Sequence, residues 1–394
     1  MKTMDRSNSA LIDPIALTRD LVRCPSVTPE DNGALDVLQT VLETLGFVCT
    51  RQVFTAEGTP AIDNLYAKIG TGSPHFCFAG HSDVVPIGAS DSWSADPFAG
   101  EIRDGHMIGR GTSDMKGAIA AFVTSAAQFL AQTKAFKGSI SLLITGDEEG
   151  PAINGTIKLL QWLKDKGEVI DHCLVGEPTN VARLGDMVKC GRRGSLNGLL
   201  SVEGTQGHVA YPDRANNPIP ALLEILRTMT EARLDEGNDY FQPSNLEIVS
   251  VDVGNSATNL IPGQASARFN IRFNDEHTGA TLTKWLHTLC DDLMAPRQSR
   301  YSLDIKVSGE AFVTPTNNFT RLIEHAIEKK CGQKPTFSTS GGTSDARFIK
   351  DMCPVAEFGL IGASMHKVDE RVALQDITDL SEIYGHILEE YFTP

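Results

Sequence analysis

Two histidines and four carboxylates could do chemistry in this sequence, because they follow predicted β-strands or a glycine-rich turn. These residues are His81, Asp114, Glu148, Glu149, Glu177 and His366. Side chains just past the carboxyl ends of parallel strands meet at one edge of a sheet. Imidazole and carboxylate suit zinc, and a carboxylate between two cations offsets their repulsion. The set therefore predicts a site for two divalent cations, with one carboxylate to spare as the general base of metal-assisted hydrolysis.

Taken one at a time, the same residues have simpler interpretations. A lone histidine is more often a surface residue or a satisfied core residue than a ligand. Asp114 could simply be the cap of the helix that follows it, and Glu148 and Glu149 could form a solvated loop. The prediction rests on their joint occurrence and on the glycines beside them, where the backbone must turn tightly: Gly80, Gly146, Gly150 and Gly176. Asp83 lies two residues after His81, a spacing that would let it orient the imidazole.

The elements that must position these residues alternate between strands and helices. Strands are predicted near 64–69, 75–80, 139–145, 172–176 and 354–361. Helices are predicted from Asp13-Pro14, through the apolar positions Leu35 to Leu45, after Gly117, and near 155–166, 317–331 and 376–391. The alternation predicts an α/β fold with a mostly parallel sheet that is covered on both faces.

The segment after Arg193 has a different order of elements. It reads as strand 195–203, helix 218–234, strand 245–253, strand 265–273, helix 279–294 and strand 301–307. This β-α-β-β-α-β order is typical of a self-contained, ferredoxin-like two-layer unit. We therefore predict one domain formed by 1–193 and 309–394, interrupted by a second domain formed by 194–308, with short hinges between them.

Charge and cysteine content narrow the classes of function. Lys and Arg number 35 against 50 Asp and Glu, a formal charge of −15, which disfavours nucleic acid and anionic membranes as partners. The eight cysteines include no C-x-x-C pair and are expected to be reduced thiols. With no apolar leader segment and no run of about 18 apolar residues, a cytoplasmic location is expected. The spacing of a phosphate loop and the G-x-S-x-G elbow of a serine hydrolase are also missing.

Longer motifs give a more specific indication. The runs GHSDVVP, GRGTSDMKGAIAAF, TGDEEG, LVGEPT, GRRGSLNG, GTQGHVAYP, TSGGTSDARF and EFGLIGASMHKVDERV occur in this order. With them the chain resembles, over essentially its whole length, the M20 family of co-catalytic metallopeptidases and amidohydrolases. The resemblance implies a catalytic zinc-binding domain split by a lid and dimerisation domain, and a homodimer formed through that lid.

The resemblance also implies a role for each candidate residue. His81 and Glu177 would hold one cation, Glu149 and His366 the other, and Asp114 both. The cations would be Zn²⁺, with Co²⁺ as a possible substitute. Glu148 would be the general base and Asp83 the residue that orients His81. His208, in the run GTQGHVAYP, would stabilise the oxyanion from the lid of the partner subunit, although without the resemblance it would be taken as a turn residue.

An acidic protein can receive an anionic substrate only through a local positive feature. The resemblance favours Arg192 and Arg272 as clamps for carboxylates, with hydrogen bonds from Ser195, Asn259, Gly342, Thr343 and Ser344. Arg193 could simply be solvated. The implied reaction is hydrolysis of N-succinyl-L,L-2,6-diaminopimelate to succinate and L,L-2,6-diaminopimelate, a step towards lysine and peptidoglycan.

Two other functions compete with this one. Within the same family, the chain could be an acetylornithine deacetylase or a carboxypeptidase-like hydrolase, although GTQGHVAYP and TSGGTSDARF favour the succinylated substrate. In a different class, it could be a metal-binding scaffold that keeps the fold without the chemistry. The presence of Glu148 argues against a scaffold, since a binding protein has no use for a spare base beside a pair of metal ions.

Overall fold

The computed structural model describes residues 12–133, 136–297 and 299–393, which form two compact units. Unit 1 comprises the described residues of Met1–Cys190, Thr314–Ser338 and Ser344–Pro394, and unit 2 comprises those of Gly191–Val313 and Thr339–Thr343. The segment expected as an insertion, 194–308, lies within unit 2. Residues 1–11, where the sequence shows no apolar leader, are outside the described residues.

The strands are β1 (Val48–Phe54), β2 (Ile62–Thr71), β3 (His75–His81), β4 (Glu101–Arg103), β5 (His106–Ile108), β6 (Gly138–Thr145), β7 (His172–Val175), β8 (Met187–Lys189), β9 (Gly191–Arg192), β10 (Gly194–Glu203), β11 (Gly207–His208), β12 (Asn245–Asp252), β13 (Leu260–Ile261), β14 (Gln264–Phe273), β15 (Arg300–Gly309), β16 (Phe312–Val313), β17 (Thr336–Ser338), β18 (Val355–Glu357) and β19 (Arg371–Ala373). The helices are α1 (Pro14–Val22), α2 (Ala34–Thr44), α3 (Gly117–Gln132), α4 (Thr156–Asp165), α5 (Pro218–Glu231), α6 (Gly279–Met294), α7 (Asn318–Cys331), α8 (Ala346–Ile349) and α9 (Leu374–Phe392).

Unit 1 is built on an eight-stranded sheet in the order β1-β2-β6-β3-β7-β18-β8-β17. The four central strands, β6, β3, β7 and β18, run parallel to one another, and β8 and β17 are also parallel, so four of the seven neighbouring pairs are parallel. Every residue of β3 and β6 is buried. Successive side chains of a strand point to opposite faces, so both faces of the sheet are covered here, as predicted for an α/β fold.

The helices of unit 1 pack into one core with this sheet. α3 is almost entirely buried, and its contacts with α1 and α9 join the two ends of the chain. At its start, α1 has the predicted Asp13 cap, whose carboxylate accepts a hydrogen bond from Ile15 N at 2.9 Å. Stacked rings of Phe78 and Phe122, 4.3 Å apart at their centroids, attach α3 to the central strand β3. Among the described residues, no helix combines the length and the apolar character needed to cross a membrane.

Unit 2 contains the predicted β-α-β-β-α-β order as β10, α5, β12, β14, α6 and β15, with a four-stranded antiparallel sheet in the order β12-β14-β10-β15. β14 alternates along QASARFNIRF, so that Phe269, Ile271 and Phe273 are buried and the residues between them face outwards. The buried face packs on Leu222 of α5 and Leu286 of α6 in a separate hydrophobic core.

One predicted strand is much shorter than expected. The apolar run 354–361 forms a strand only over Val355–Glu357. Beyond it the backbone passes so close to β7 that a Cβ atom at Gly359 would lie 2.2 Å from the carbonyl oxygen of Gly176. Residues 358–360 are buried outside the strand, Ile361 forms only an isolated bridge with Asn180, and the segment then leads to the loop that contains His366.

Candidate metal centre

The four central parallel strands of unit 1 bring most of the candidate residues to one edge of the sheet. His81 is the last residue of β3, Glu148 and Glu149 follow β6, and Glu177 follows β7. His366 comes after β18, in a loop where its own φ is 60°. Because these strands are parallel, their carboxyl ends lie together, as expected for a ligand site in an open α/β sheet.

Asp114 reaches the same edge from a different element, an irregular helical turn over Thr112–Lys116. The side chain of the next residue, Met115, is fully buried against the ends of β3 and β7. A Cβ atom at Gly80 or Gly176 would lie 2.5 Å or 2.7 Å from the Met115 methyl carbon. These two glycines therefore leave the room that lets the turn with Asp114 sit on the strand ends.

The carboxylate of Asp114 lies between the two histidines. Its Oδ1 is 3.2 Å from Nε2 of His81, and its Oδ2 is 3.1 Å from Nε2 of His366. His366 Nε2 is also 2.8 Å from Oε1 of Glu149. Ligand atoms of His81, Asp114 and Glu149 all lie within 4.8 Å of one another. One carboxylate therefore has an oxygen beside each of two imidazoles.

A second group of possible ligand atoms also contains His81. Atoms of His81, Glu148 and Glu177 lie within 4.8 Å of one another, and Oε1 of Glu177 is 3.9 Å from His81 Nε2. Glu148 is thus within the cluster and next to Glu177, while the neighbouring Glu149 faces His366. The side chains of these two consecutive glutamates therefore lie on opposite sides of the cluster.

Asp83 is buried beneath this cluster, with its carboxylate directed at the turn after β6. Its oxygens accept hydrogen bonds from the backbone N–H groups of Glu148 at 3.3 Å and Glu149 at 3.0 Å, and from the hydroxyl of Thr28 at 2.5 Å. The group nearest to Nδ1 of His81 is the backbone carbonyl of Asp83 at 2.9 Å, whereas its carboxylate is 3.7 Å away. Asp83 therefore contacts both His81 and the turn with the two glutamates.

The pKa values of these groups reflect an excess of carboxylates in a partly buried cluster. Burial alone would raise the pKa of Asp114, but hydrogen bonds from His366 and His81 outweigh it and hold that pKa below its ordinary value. The contacts with Asp114 and Glu149 raise the pKa of His366 to about 10. Burial, followed by the charge of Glu177, raises the pKa of Glu148 well above its usual range.

The donor set fits divalent cations. Oxygen and imidazole nitrogen are the only donors in the two groups of ligand atoms, a combination that suits zinc and also accepts cobalt or manganese. Four carboxylates surround two imidazoles, so the cluster has negative charge that cations would neutralise. His81 already has the carbonyl of Asp83 on its other ring nitrogen, the usual arrangement of a metal-ligating histidine.

Sequence reasoning missed two residues of this site, Thr28 and Asp345. Asp345 lies inside the run TSGGTSDARF and is 5% exposed, and its burial raises its pKa to about 6. Its position within a quoted motif was a signal that could have identified it. Thr28 binds Asp83 from 55 residues away, and nothing in its local sequence indicates that contact.

Two predicted residues, His208 and Asn259, are neighbours in unit 2. His208 is exposed on β11 and pairs with Leu260 of β13, and the next residue, Val209, donates from its N–H to the carbonyl of Asn259 at 3.0 Å. The Nδ1 atom of His208 accepts a hydrogen bond from Ala210 N at 3.1 Å. Among the described residues, its other ring nitrogen, Nε2, makes no hydrogen bond.

The two predicted clamps, Arg192 and Arg272, have different partners within unit 2. Arg192 is 9% exposed and donates from Nη1 to the carbonyl of Gly342 at 3.0 Å, next to Thr343. Arg272 pairs across the sheet with both Ser195 and Asn245.

Arg193, which from the sequence could simply be solvated, is half-buried beside Arg272. Its Nη1 donates a hydrogen bond to Oδ1 of Asn245 at 2.9 Å. Burial and the neighbouring Arg272 lower the pKa of Arg193, and burial lowers the pKa of Arg272. Two half-buried guanidinium groups side by side are a candidate site for an anion.

Ser344 has a different environment from its neighbours in the sequence. It belongs to unit 1, is 1% exposed, and donates its hydroxyl to Oε1 of Glu357 on β18 at 2.7 Å. Its hydroxyl thus fixes the start of α8, while Gly342 and Thr343 belong to unit 2.

Comparison with known proteins gives the class of this fold and site. Residues 77–390 match the model of peptidase family M20/M25/M40, and the chain belongs to this family. Aminopeptidase PepT from Bacillus cereus has the same fold, with a TM-score of 0.77 and 18% identity over 98% of this chain and 99% of its own. The YXEP protein of Bacillus subtilis, described as a dinuclear metal binding peptidase from the M20 family, has a TM-score of 0.69 and 16% identity over 96% of this chain and 97% of its own.

Two curated relatives are much more similar to this chain and have the same name. The succinyl-diaminopimelate desuccinylase of Parvibaculum lavamentivorans is 57% identical over 380 residues, which cover 96% of each chain. The enzyme of the same name from Maricaulis maris is 56% identical over 392 residues, covering 100% of this chain and 99% of its own.

Proposed function

We propose that this protein hydrolyses N-succinyl-L,L-2,6-diaminopimelate to succinate and L,L-2,6-diaminopimelate, in the biosynthesis of diaminopimelate and lysine. The chemistry is carried by one observation: Asp114 lies between two histidines, with Glu148 beside them as a carboxylate beyond those needed to hold cations. The substrate is supported by the name shared by relatives that are 56–57% identical over nearly the full chain.

The same residues would hold two divalent cations. His81 and Glu177 would bind one, Glu149 and His366 the other, and Asp114 both; Zn²⁺ is the cation that this donor set suits best, with Co²⁺ as a substitute. When bound, such cations polarise an amide carbonyl and make a water molecule more acidic. The carbonyl of Asp83 would keep the His81 ring oriented through its Nδ1 atom.

Glu148 would move the proton. Its carboxylate takes a proton from the attacking water as the water oxygen bonds to the succinyl carbonyl carbon, and returns it to the diaminopimelate nitrogen as the C–N bond breaks. Hydrogen bonds from the backbone N–H groups of Glu148 and Glu149 to Asp83 fix the turn that holds the base. A base held in this way needs little reorganisation at the moment of reaction.

Unit 2 would bind the carboxylates of the substrate. A substrate with several carboxylates needs cationic partners in a protein with a formal charge of −15. Arg192 and Arg272 would serve as the clamps, with Ser195, Asn259, Gly342, Thr343 and Ser344 as hydrogen-bonding residues. His208 would donate to the developing oxyanion. We also propose that 194–308 acts as a lid and joins two copies of the chain, since exposed Val249 and Val251 lie on the edge strand β12.

The competing functions have less support. The curated relatives described above carry the desuccinylase name rather than that of a deacetylase or carboxypeptidase. A scaffold without chemistry would have no need of the half-buried Glu148. All eight cysteines are free, which supports a reducing compartment such as the cytoplasm.

The experiment offers zinc-replete protein N-succinyl-L,L-diaminopimelate and N-acetylornithine side by side, with a chelator-treated sample as control. Release of succinate from the first substrate that the chelator abolishes is the expected result. Turnover of acetylornithine alone would keep the cation site and overturn the substrate. Chelator-resistant hydrolysis would overturn the proposed chemistry.

A further inference from the structure

Glu370, in the run MHKVDERV, has a buried carboxylate that holds the backbone of the turn with Asp114. The side chain is 0% exposed. Its Oε1 accepts hydrogen bonds from the N–H groups of Ser113 at 2.9 Å and Asp114 at 3.1 Å, and its Oε2 accepts one from Gly111 at 3.1 Å. Gly111 has a φ of 88°, a left-handed conformation that glycine adopts without strain. One carboxylate therefore fixes three N–H groups of the turn.

The charge of this carboxylate is balanced by Arg110, the residue that begins the same turn. Arg110 is 2% exposed and donates from Nη1 to Oε2 of Glu370 at 2.8 Å. Its guanidinium also donates to the carbonyls of Lys367 and Pro86, both at 3.2 Å, and lies 5.2 Å from the ring centroid of Trp93. The buried ion pair thus has further partners on several sides, so its geometry is well defined.

The same contacts reach the segment that contains His366. Glu370 lies four residues after His366, and its carbonyl accepts a hydrogen bond from Gly109 N at 2.9 Å. Between them, Asp369 has a φ of 55° and accepts from Ser94 N at 2.8 Å through its Oδ1. Left-handed backbone in residues other than glycine persists only where its surroundings impose it. Glu370 and Arg110 therefore connect the two chain segments that carry Asp114 and His366.

We propose that Glu370 is a positioning residue for cation binding, and that it acts by holding the Asp114 turn and the His366 loop at a fixed separation. The proposal rests on the proposed function, because it concerns how that cation site is kept in shape. Neither Glu370 nor Arg110 belongs to the groups of ligand atoms themselves. Their effect is exerted through hydrogen bonds to the backbone of the ligands' segments, as the outer partners of metal sites commonly do.

The test is the substitution Glu370→Gln, which keeps the size of the side chain but leaves a single acceptor oxygen. The amide NH₂ must then face either the N–H groups of Ser113 and Asp114 or those of Arg110 and Gly111. We expect Zn²⁺ affinity of the metal-free protein, measured by competition with a chromophoric chelator, to weaken by about 10- to 100-fold. The absorption spectrum of the Co²⁺-loaded variant should change as well, and activity should return at higher cation concentration.

Asp186→Asn is the matched control. Asp186 is also a carboxylate that accepts three backbone N–H groups of one turn in unit 1, those of Val181 at 3.0 Å, Ala182 at 2.8 Å and Arg183 at 3.1 Å. That turn contains no candidate ligand, so its substitution should leave cation affinity unchanged. An equal loss of affinity in both variants would show a general structural effect and overturn the proposal.

A milder variant keeps the test decisive if Glu370→Gln does not fold. Arg110→Lys retains a positive charge beside Glu370 and loses the contacts with Lys367 and Pro86, so a smaller weakening of Zn²⁺ affinity is expected. Wild-type affinity in the folded Glu370→Gln variant, or in Arg110→Lys where the first does not fold, overturns the proposal. If the wild-type protein binds cations but does not release succinate, the proposed substrate fails while the affinity comparison still decides the role of Glu370.

Discussion

At the scale of single residues, the two oxygens of Asp114 define the candidate site. Each faces a different imidazole, at 3.2 Å for His81 and 3.1 Å for His366. The raised pKa of His366, about 10, shows how strongly Asp114 and Glu149 favour a positive charge at this place. Divalent cations would satisfy the same carboxylates with more charge than two protons supply.

Glu148 provides the sharpest prediction about a single residue. Glu148→Gln should retain the proposed cations, because His81, Glu177, Glu149 and His366 are proposed to hold them together with Asp114. It should lower kcat by about 100- to 10,000-fold, the range expected for the loss of a general base. Steady-state kinetics and metal analysis of the same preparation test this. A variant with normal turnover, or one that has lost its cations, would contradict the assignment of Glu148 as the base.

Arg272 provides a prediction about substrate binding. Arg272→Met removes a half-buried guanidinium proposed to bind a substrate carboxylate, so KM should rise by about tenfold or more with a smaller change in kcat. Arg268→Met is the matched control, because Arg268 lies on the same face of β14 but is exposed and pairs with Leu199. Equal KM values for the two variants would argue against Arg272 as a clamp.

At the scale of elements, the sequence predicts those parts of the fold that depend on local pattern. The bounds of α6 agree with the predicted 279–294, and the alternation along β14 identifies its buried face. The run 354–361 forms a strand only over Val355–Glu357. Beyond it Gly359 lies close to Gly176, a residue 183 positions away, and local sequence does not reveal such a contact. Hydrophobicity alone does not distinguish a buried strand from other buried backbone.

The candidate site shows the same limit. Residue type and position after a strand or a glycine-rich turn were enough to select His81, Asp114 and Glu149. The spacing of Asp83 from His81 indicated that the two residues are in contact. It could not show that the backbone carbonyl of Asp83 makes this contact, while its carboxylate binds the turn after β6. Glu370 went unnoticed because its hydrogen bond to Asp114 N spans 256 residues. Contacts of this kind depend on tertiary structure that a local motif does not contain.

Asp235 provides a prediction about the loop between α5 and β12. Its side chain is 2% exposed, and its carboxylate accepts hydrogen bonds from Gly237 N at 2.8 Å, Ser244 N at 3.1 Å and Asn274 Nδ2 at 2.7 Å. Burial alone would raise the pKa of Asp235, but these hydrogen bonds outweigh it and hold the pKa below its ordinary value. Asp235→Ala should therefore lower the free energy of unfolding by about 1–3 kcal/mol at pH 7.

The effect should depend on pH in a defined direction. Because the folded pKa of Asp235 is lower than the unfolded pKa of about 3.9, its contribution is fully present above that value and is lost as the pH falls through the folded pKa. His277, 3.2 Å from Oδ2, is the other titratable group facing this carboxylate among its described contacts. Urea unfolding from pH 7 to 3, followed by tryptophan fluorescence, should show the difference in stability between the variant and the wild type shrinking below about pH 4. A constant difference would contradict the role of the ionised carboxylate.

At the scale of the whole molecule, the net charge affects how a substrate is recognised, and the division into two units affects how the protein unfolds. The formal charge of −15 repels an anionic substrate on average, so recognition would depend on local cationic groups such as the proposed clamps Arg192 and Arg272. Each unit also has its own hydrophobic core, one around α3 and β3 and one around Leu286 and Phe269. Units with separate cores can unfold in separate transitions.

That division predicts how cations affect thermal stability. A ligand that binds only the folded state of unit 1 raises the stability of that unit by mass action, by about 2.7 kcal/mol at a concentration of 100 times Kd. Calorimetry of metal-free protein with added Co²⁺ should therefore move one transition upwards and leave the other in place. Leu286→Ala identifies the transition of unit 2, because it empties part of that core at an expected cost of about 2–5 kcal/mol. A Co²⁺-induced rise in the same transition that Leu286→Ala lowers, with the other unmoved, would place the cations in unit 2 and contradict the assignment of the cluster around Asp114.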